Sequence, residues 1–289
     1  MDTVSIDRRQ FLRSGLIAAT LVATGRLPLL GVQVDGGSSI DASTGPYAAK
    51  PIRGYLRGFS PAEVPLRKRR QYSLTYDIIH WGVTNSRTGM PANSVLGQVA
   101  IKRKMAKDRV MYDVVQQTRI GGVNNFVEAE VTCKADDWNS LRQWKLRTYH
   151  GGPDGRIDPL SEITEKGNCK NGHIRIDSGR SPYGYAAKNP VVTQWTMLDF
   201  LIRKADPALN VTFDLLQDLS LFKPNQSLFY DGLTNLKLKG GQTATLQTYA
   251  QIGEGILPIH YLLDVQGRPQ LITSSILSWA LITTKQKNA

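Results

Sequence analysis

The chain contains few of the residues that build metal, disulfide or cofactor sites. Two cysteines among 289 residues are too few for a disulfide-rich fold or a four-thiolate zinc site. The four histidines do not form an HExxH or His-x-His arrangement. The sequence also lacks a glycine-rich phosphate loop, a G-x-S-x-G nucleophile motif and a dinucleotide, haem or iron–sulfur signature. We therefore expect no metal and no cofactor, and a non-enzymatic protein is favoured.

Long apolar segments are absent as well. No stretch holds 18 uncharged apolar residues, which argues against a multi-span membrane protein. The overall apolar content of 41% is nevertheless that of a globular chain rather than a disordered one.

The N-terminal 25 residues have the pattern of an export signal. A basic segment precedes a weakly apolar run over residues 15–24, and small residues follow, which is typical of secretory signals. The paired arginines resemble the twin-arginine signal motif; its residues here are Arg8, Arg9, Phe11 and Leu12. The resemblance implies recognition by the Tat translocase and a periplasmic or extracellular location. We predict cleavage at Ala23–Gly25, with Gly31 and Gly36 as alternatives.

Composition divides the chain into four parts. The signal peptide occupies residues 1–25. Residues 26–65 contain many Gly, Pro and Ser without a sustained period, which predicts a flexible linker. Residues 66–284 form a single domain, and residues 285–289 form a polar tail.

The domain shows the alternation of a β-protein interrupted by one helical segment. Period-two alternation from Tyr72 predicts the first of several strands in an antiparallel meander. Residues 192–204 predict the clearest helix, with Thr193 as its N-cap. We predict a loop over residues 150–171 and a hairpin turn at Asp231-Gly232.

The last hairpin carries an Asp-x-x-Gly-Arg turn at residues 264–268, between the apolar run ending at Leu263 and the strand that begins near Gln270. This segment resembles the lipoprotein-localisation carriers of the bacterial envelope. The resemblance implies a mainly β fold: a curved, half-closed antiparallel sheet or partial barrel with one packed helix.

The carrier resemblance also implies a function. We expect a binding module that holds an amphiphilic or envelope-derived ligand on the concave face of the sheet. The expected lining residues are Tyr76, Trp81, Trp195, Leu198 and Leu201. The alternative is that these five side chains are ordinary core.

Positive charge is concentrated near the start of the domain. Residues 50–109 contain 13 Lys and Arg but three Asp and Glu, whereas residues 110–289 contain 19 and 17. The tightest cluster is Arg67, Lys68, Arg69 and Arg70. Such a cluster attracts polyanions, and after export the expected partner is anionic lipid or acidic glycan. Nucleic acid is not expected, since no base-stacking motif accompanies the cluster. The alternative is a solvated basic face that aids solubility.

Cys133 and Cys169 are candidates for a disulfide. They would pair only after export, because the cytoplasm keeps thiols reduced. The alternative is two buried free thiols.

A second function class stays open at this point, an envelope carbohydrate-active hydrolase. Tyr183 and Tyr185, near Arg180, are suited to stacking on sugar rings. Such an enzyme needs two carboxylates about 5–9.5 Å apart across a groove. The sequence does not identify that pair, so we assign no catalytic residue.

Overall fold

A computed structural model describes residues 40–41, 66, 70–80, 95–120, 122–152, 156–179, 181–237, 243–274 and 277–286. All of them belong to one compact unit that begins at Ser39. The predicted signal peptide, most of the predicted linker, Arg67–Arg69 and Trp81 lie outside the described residues.

The described residues form sixteen strands and one α-helix. The strands are β1 Ile40–Asp41, β2 Gln71–His80, β3 Val95–Met105, β4 Arg109–Ile120, β5 Val123–Lys134, β6 Leu141–Gly151, β7 Ile157–Lys170, β8 His173–Asp177, β9 Tyr183–Ala186, β10 Val191–Val192, β11 Asn210–Gln217, β12 Leu221–Lys237, β13 Thr243–Ile252, β14 Ile259–Leu263, β15 Pro269–Thr273 and β16 Leu277–Gln286. The helix, α1, spans Gln194–Lys204.

One sheet contains every strand, in the order β10-β11-β12-β13-β14-β15-β16-β2-β3-β4-β5-β6-β7-β8-β9, with β1 beside β12. Neighbours pair antiparallel except at β1–β12 and β10–β11. The sheet is large and curved and does not close into a barrel. The predicted mainly β class with a curved, half-closed sheet and one packed helix is therefore confirmed. Ile40 and Asp41, inside the predicted linker, pair with β12.

The two terminal strands of the sheet, β9 and β10, are consecutive in the chain. Asp214 on β11 secures the connection between them: its carboxylate accepts from the backbone N–H groups of Lys188 (2.9 Å) and Asn189 (3.0 Å). Burial would raise the pKa of Asp214, but these hydrogen bonds outweigh it and lower the pKa. The Tyr185 ring of β9 stacks on Phe222 of β12 at 5.1 Å. Side chains, rather than ladder hydrogen bonds, thus hold the two ends of the sheet near each other.

Helix α1 lies against the inner, concave face of the sheet. Its start is a capping box: the Thr193 hydroxyl accepts from Thr196 N–H, and the Thr196 hydroxyl accepts from Thr193 N–H. Every residue from Trp195 to Ile202 is buried. A helix that is buried all round must lie in an interior. The sequence prediction of this helix and its cap is confirmed.

Strand register assigns each side chain to the inner or the outer face. Tyr112, Val131 and Trp144 are cross-strand neighbours and belong to the hydrophobic core. The next positions along the same strands form an exposed charged row on the outer face, which contains Asp113, Glu130, Lys145 and Lys166. This part of the sheet therefore buries one face and solvates the other.

The prediction of a loop over residues 150–171 is wrong, because residues 157–170 form strand β7. The inner positions of β7 include Glu165, Gly167 and Cys169, which do not give the apolar alternation that marks a strand.

The hairpin turn predicted at Asp231-Gly232 is also wrong. Strand β12 runs through it with a register shift at Tyr230/Gly232, and Gly232 adopts φ +103°, which a glycine adopts without strain.

Gly167 provides the space in which the Trp144 indole lies across the neighbouring strand. A Cβ at this position would be 2.0 Å from the indole Cζ2 atom. We expect Gly167→Ala to lower the free energy of unfolding by about 1–3 kcal/mol, the usual cost of overpacking a core. Urea unfolding followed by tryptophan fluorescence measures this. Asn168→Ala, on the outer side of the same strand, is the matched control. Equal midpoints for the two variants would contradict the packing role of Gly167.

The predicted disulfide is wrong: Cys133 and Cys169 are free thiols. Cys133 lies on β5 and Cys169 on β7, with β6 between them. Two interstrand spacings place their Cα atoms about 9–10 Å apart, whereas a disulfide requires less than about 7 Å. Burial raises the pKa of both thiols, which keeps them protonated and unreactive.

Candidate functional site

The inner face of β4, β5 and β6 changes character along the strands. Near the start of β4, Val110, Tyr112 and Val114 are at most 1% exposed. Farther along, the inward-facing side chains are half-buried. These six side chains, called the upper inner face below, are Gln116, Thr118, Asn125, Val127, Thr148 and His150.

The length of α1 accounts for this change. Eleven helical residues span about 16 Å, whereas the twelve residues of β4 or β5 span about 40 Å. The C-terminal part of α1 contacts the end of the sheet that holds Tyr72 and Tyr112. Among the described residues, therefore, no helix covers the opposite end of these strands.

The upper inner face is polar but carries no net charge. Five of its six side chains donate or accept hydrogen bonds. Burial lowers the pKa of His150, and the Asp158 carboxylate opposes the shift only in part. The imidazole is therefore neutral at pH 7. His150 is fixed through its backbone N–H, which donates to the Ser161 hydroxyl at 2.8 Å. This surface therefore offers hydrogen-bonding groups rather than charged groups.

A buried polar network around Asp199 anchors α1 at the other end. The Asp199 carboxylate accepts from the hydroxyls of Tyr72 and Tyr112 and from the Asn139 amide. Arg103 Nε lies 2.7 Å from its Oδ1 atom, with the two side chains 4% and 2% exposed. Arg203, one turn later on α1, donates to Oδ2 at 3.0 Å.

The protonation of this network is fixed by its burial. Burial and then the Asp199 charge raise the pKa of both Tyr72 and Tyr112 well above the usual value, so both hydroxyls remain donors. Burial would lower the pKa of Arg103, but the Asp199 carboxylate outweighs it and raises the pKa. Sequence reasoning missed this network. The alternation of β3 could have indicated it, because Arg103 lies two positions after the inward-facing Ile101 and therefore faces inward as well.

The Asp-x-x-Gly-Arg turn forms a second buried polar unit. The Asp264 carboxylate accepts from the backbone N–H groups of Gln266 and Arg268, both at 2.9 Å. It also accepts from Arg268 Nε at 2.7 Å and Gln270 Nε2 at 2.8 Å. Gly267 has φ +74°, which a glycine adopts without strain. The carboxylate is occupied entirely in fixing the turn between β14 and β15.

The described residues predicted to line a ligand site lie in the core. They are Tyr76, Trp195, Leu198 and Leu201, all at most 1% exposed. The Tyr76 hydroxyl donates to the Pro269 carbonyl oxygen at 3.1 Å. The structure brings these four side chains into one cluster, but a ligand would touch them only if α1 moved. Trp81 is outside the described residues.

Arg70 is the one described member of the predicted basic cluster. It is exposed directly before β2, and its carbonyl oxygen accepts from Arg103 Nη1 at 3.0 Å. This places it at the end of the sheet that holds the Asp199 network.

The structure does not arrange Tyr183 and Tyr185 as a carbohydrate-active hydrolase requires. Tyr183 meets Tyr185 edge to face at 6.1 Å, and Phe222 covers a face of the Tyr185 ring. Arg180 is outside the described residues.

One carboxylate pair of the outer face, Glu128 and Glu162, shares the Arg147 guanidinium at 3.2 and 2.9 Å. The hydrogen bond from Arg147 lowers the pKa of Glu162. A general acid for glycoside cleavage needs a raised pKa, so this pair is unsuited to that role.

Within the described ranges, no group of three or more His, Cys, Asp and Glu residues is placed to bind a metal, and no helix is both long and apolar enough to span a bilayer.

Comparison with known proteins gives little. No family model matches the chain, and no curated protein matches it. Among solved structures, a DUF1089 family protein from Pseudomonas aeruginosa matches with a TM-score of 0.33 and 13% sequence identity. The match covers 62% of this chain and 89% of that chain. At this TM-score the likeness supports neither a shared fold nor a shared function.

Proposed function

We propose that this protein is an exported, non-enzymatic binding protein that holds an amphiphilic or envelope-derived ligand against the concave face of its sheet. The observation that supports this most strongly is the upper inner face, where half-buried hydrogen-bonding side chains lie on three neighbouring strands beyond the cover of α1. Ligand sites are typically concave and preformed, with a few convergent polar groups.

The chemistry of the inner face suits an amphiphile. Toward α1 its half-buried apolar side chain is Val127, directly opposite Thr148. Toward the other end it is polar, with Asn125 opposite His150. A molecule with an apolar and a polar part satisfies both zones, and the neutral His150 favours a hydrogen-bonding polar group over an ionic one.

The proposed ligand position differs from the one expected from sequence. Trp195, Leu198 and Leu201 are held in the core because Asp199, on the same helix, is anchored to β2, β3 and β4. We place the ligand beyond the end of α1, on β4, β5 and β6, with the helix left in its position.

Export is the second part of the proposal. The paired Arg8 and Arg9 support recognition by the Tat translocase and release into the periplasm or beyond. A protein in that compartment meets envelope-derived amphiphiles.

The matched threonines Thr148 and Thr132 test the ligand site. Both are half-buried, Thr148 on the inner face of β6 and Thr132 on the outer face of β5. We expect native mass spectrometry of the protein purified after export to show a co-purifying adduct, identified by analysis of the extracted lipid and glycan. Thr148→Arg should reduce the adduct-bearing fraction about tenfold, since a charged side chain occupies the polar zone and costs more than 1.4 kcal/mol of binding.

Thr132→Arg should retain the adduct at the wild-type level. The proposal fails if the wild-type protein carries no adduct after export. It fails equally if Thr148→Arg and Thr132→Arg, both folded by circular dichroism, retain the same adduct-bearing fraction.

A further inference from the structure

Four large apolar side chains are exposed where β4, β5 and β7 extend beyond the upper inner face. Ile120 and Val123 pair across the tip of the β4–β5 hairpin and are 40% and 42% exposed. Ile157 and Leu160, near the start of β7, are 47% and 95% exposed. Two interstrand spacings separate β5 from β7, so the two pairs lie roughly 10 Å apart. These four residues are called the apolar tip below.

Leu160 is held in its exposed position by the surrounding structure. Residues 159–162 form a bulge opposite the single residue Tyr149 of β6. The Asp158 carboxylate accepts from Leu160 N–H at 3.0 Å, and the Ser161 hydroxyl donates to the Asp158 carbonyl oxygen at 2.6 Å. Glu162, at the base of the bulge, is bound to Arg147 at 2.9 Å. These hydrogen bonds hold the backbone of the bulge in the shape that exposes the Leu160 side chain.

Basic residues accompany the apolar tip. Arg119 directly precedes Ile120 and Arg156 directly precedes Ile157, and both arginines are exposed. Apolar side chains beside arginines complement a surface that combines anionic headgroups with an apolar interior.

We propose that the apolar tip docks on an anionic lipid bilayer, inserting Leu160 and its three apolar neighbours into the headgroup–acyl boundary. A protein partner would require a contiguous surface of about 800 Å², whereas these side chains project singly from a hairpin tip and a bulge. A bilayer needs no matching shape. Docking by this end would bring the upper inner face to the membrane, where amphiphilic ligands reside.

Tryptophan quenching tests the insertion directly. The protein purified after export is mixed with vesicles of phosphatidylcholine and phosphatidylglycerol whose acyl chains are brominated. We expect bromine to quench the added indole of Leu160→Trp. Val265→Trp is the matched control, because Val265 is 77% exposed in the β14–β15 turn at the opposite end of the sheet. Its added indole should not be quenched.

Vesicle sedimentation tests the energetics. Leu160→Ser should weaken binding to the same vesicles, without bromine, about tenfold, as expected for losing one inserted leucine. Val265→Ser should bind like the wild type. Replacing Arg119 and Arg156 by Gln should weaken binding at low salt and have little effect at high salt.

The proposal is overturned if wild-type protein does not bind the vesicles, or if Leu160→Ser and Val265→Ser bind equally. It is also overturned if both added indoles are quenched alike. Full loss of binding on replacing Arg67–Arg70 by Gln, with Leu160→Ser unaffected, would assign docking to the basic cluster instead. The ligand proposal does not depend on vesicle binding, because Thr148→Arg should lose its adduct and still bind the vesicles.

Discussion

Asp199→Ala is expected to lower the free energy of unfolding by about 3–5 kcal/mol, because it removes the partner of a buried arginine. Arg103 is 4% exposed and would keep its charge without the carboxylate 2.7 Å away. The hydroxyls of Tyr72 and Tyr112 would lose their acceptor as well. Against a typical total stability of about 5–15 kcal/mol, this loss leaves the fold marginal. Urea unfolding followed by circular dichroism measures it.

Asp137→Ala is the matched control for Asp199→Ala. Asp137 also pairs with a cation of α1, Lys204 at 2.7 Å, but its side chain is 84% exposed. Exposed ion pairs contribute little, so the midpoint should stay near that of the wild type. If both variants unfold at the same urea concentration, the Asp199 network does not anchor the helix.

Replacing Arg8 and Arg9 together by Lys is expected to abolish export, leaving the precursor in the cytoplasm. The change preserves the positive charge of the N-terminal segment, which is all that a general secretory signal requires. The twin-arginine route instead reads the arginine pair itself. Fractionation of a host bacterium with immunodetection of the chain measures the distribution.

Arg13→Lys is the matched control for the signal variant, because Arg13 is basic and lies in the same segment but outside the pair. It should be exported normally. Accumulation of the Arg8→Lys, Arg9→Lys double variant in the periplasm at the wild-type level would exclude the twin-arginine route.

The elements that sequence predicted correctly are those whose signals are local. Alternation from Tyr72 marks a real strand, and the Thr193 cap marks the start of α1, because burial on one face and satisfaction of the first helical N–H groups depend on residues near in sequence. The turn at Asp264 formed where predicted for the same reason: its carboxylate binds groups at most six residues away.

The errors have a common cause in contacts between distant residues. Strand β7 was missed because its inner positions are adapted to neighbours: Gly167 accommodates the Trp144 ring. The Asp231-Gly232 pair is locally an ideal hairpin turn, yet β13 pairs with both sides of it, so it becomes a bulge in a longer strand. Cys133 and Cys169 were separated by strand order, which spacing along the chain does not specify.

The sequence by itself determined the β class, the helix and the concentration of basic residues within residues 50–109, because each depends on residue type and short-range periodicity. Only the tertiary structure decided which side chains are core and which form a candidate site. Trp195 and Leu198 fill the interior because Asp199 draws α1 onto β2, β3 and β4, while Thr148 and His150 stay accessible because the strands extend beyond an eleven-residue helix. That outcome depends on the length of α1 relative to the strands and on the buried ion pair between Arg103 of β3 and Asp199 of α1. Both are set by packing between residues that are distant in sequence.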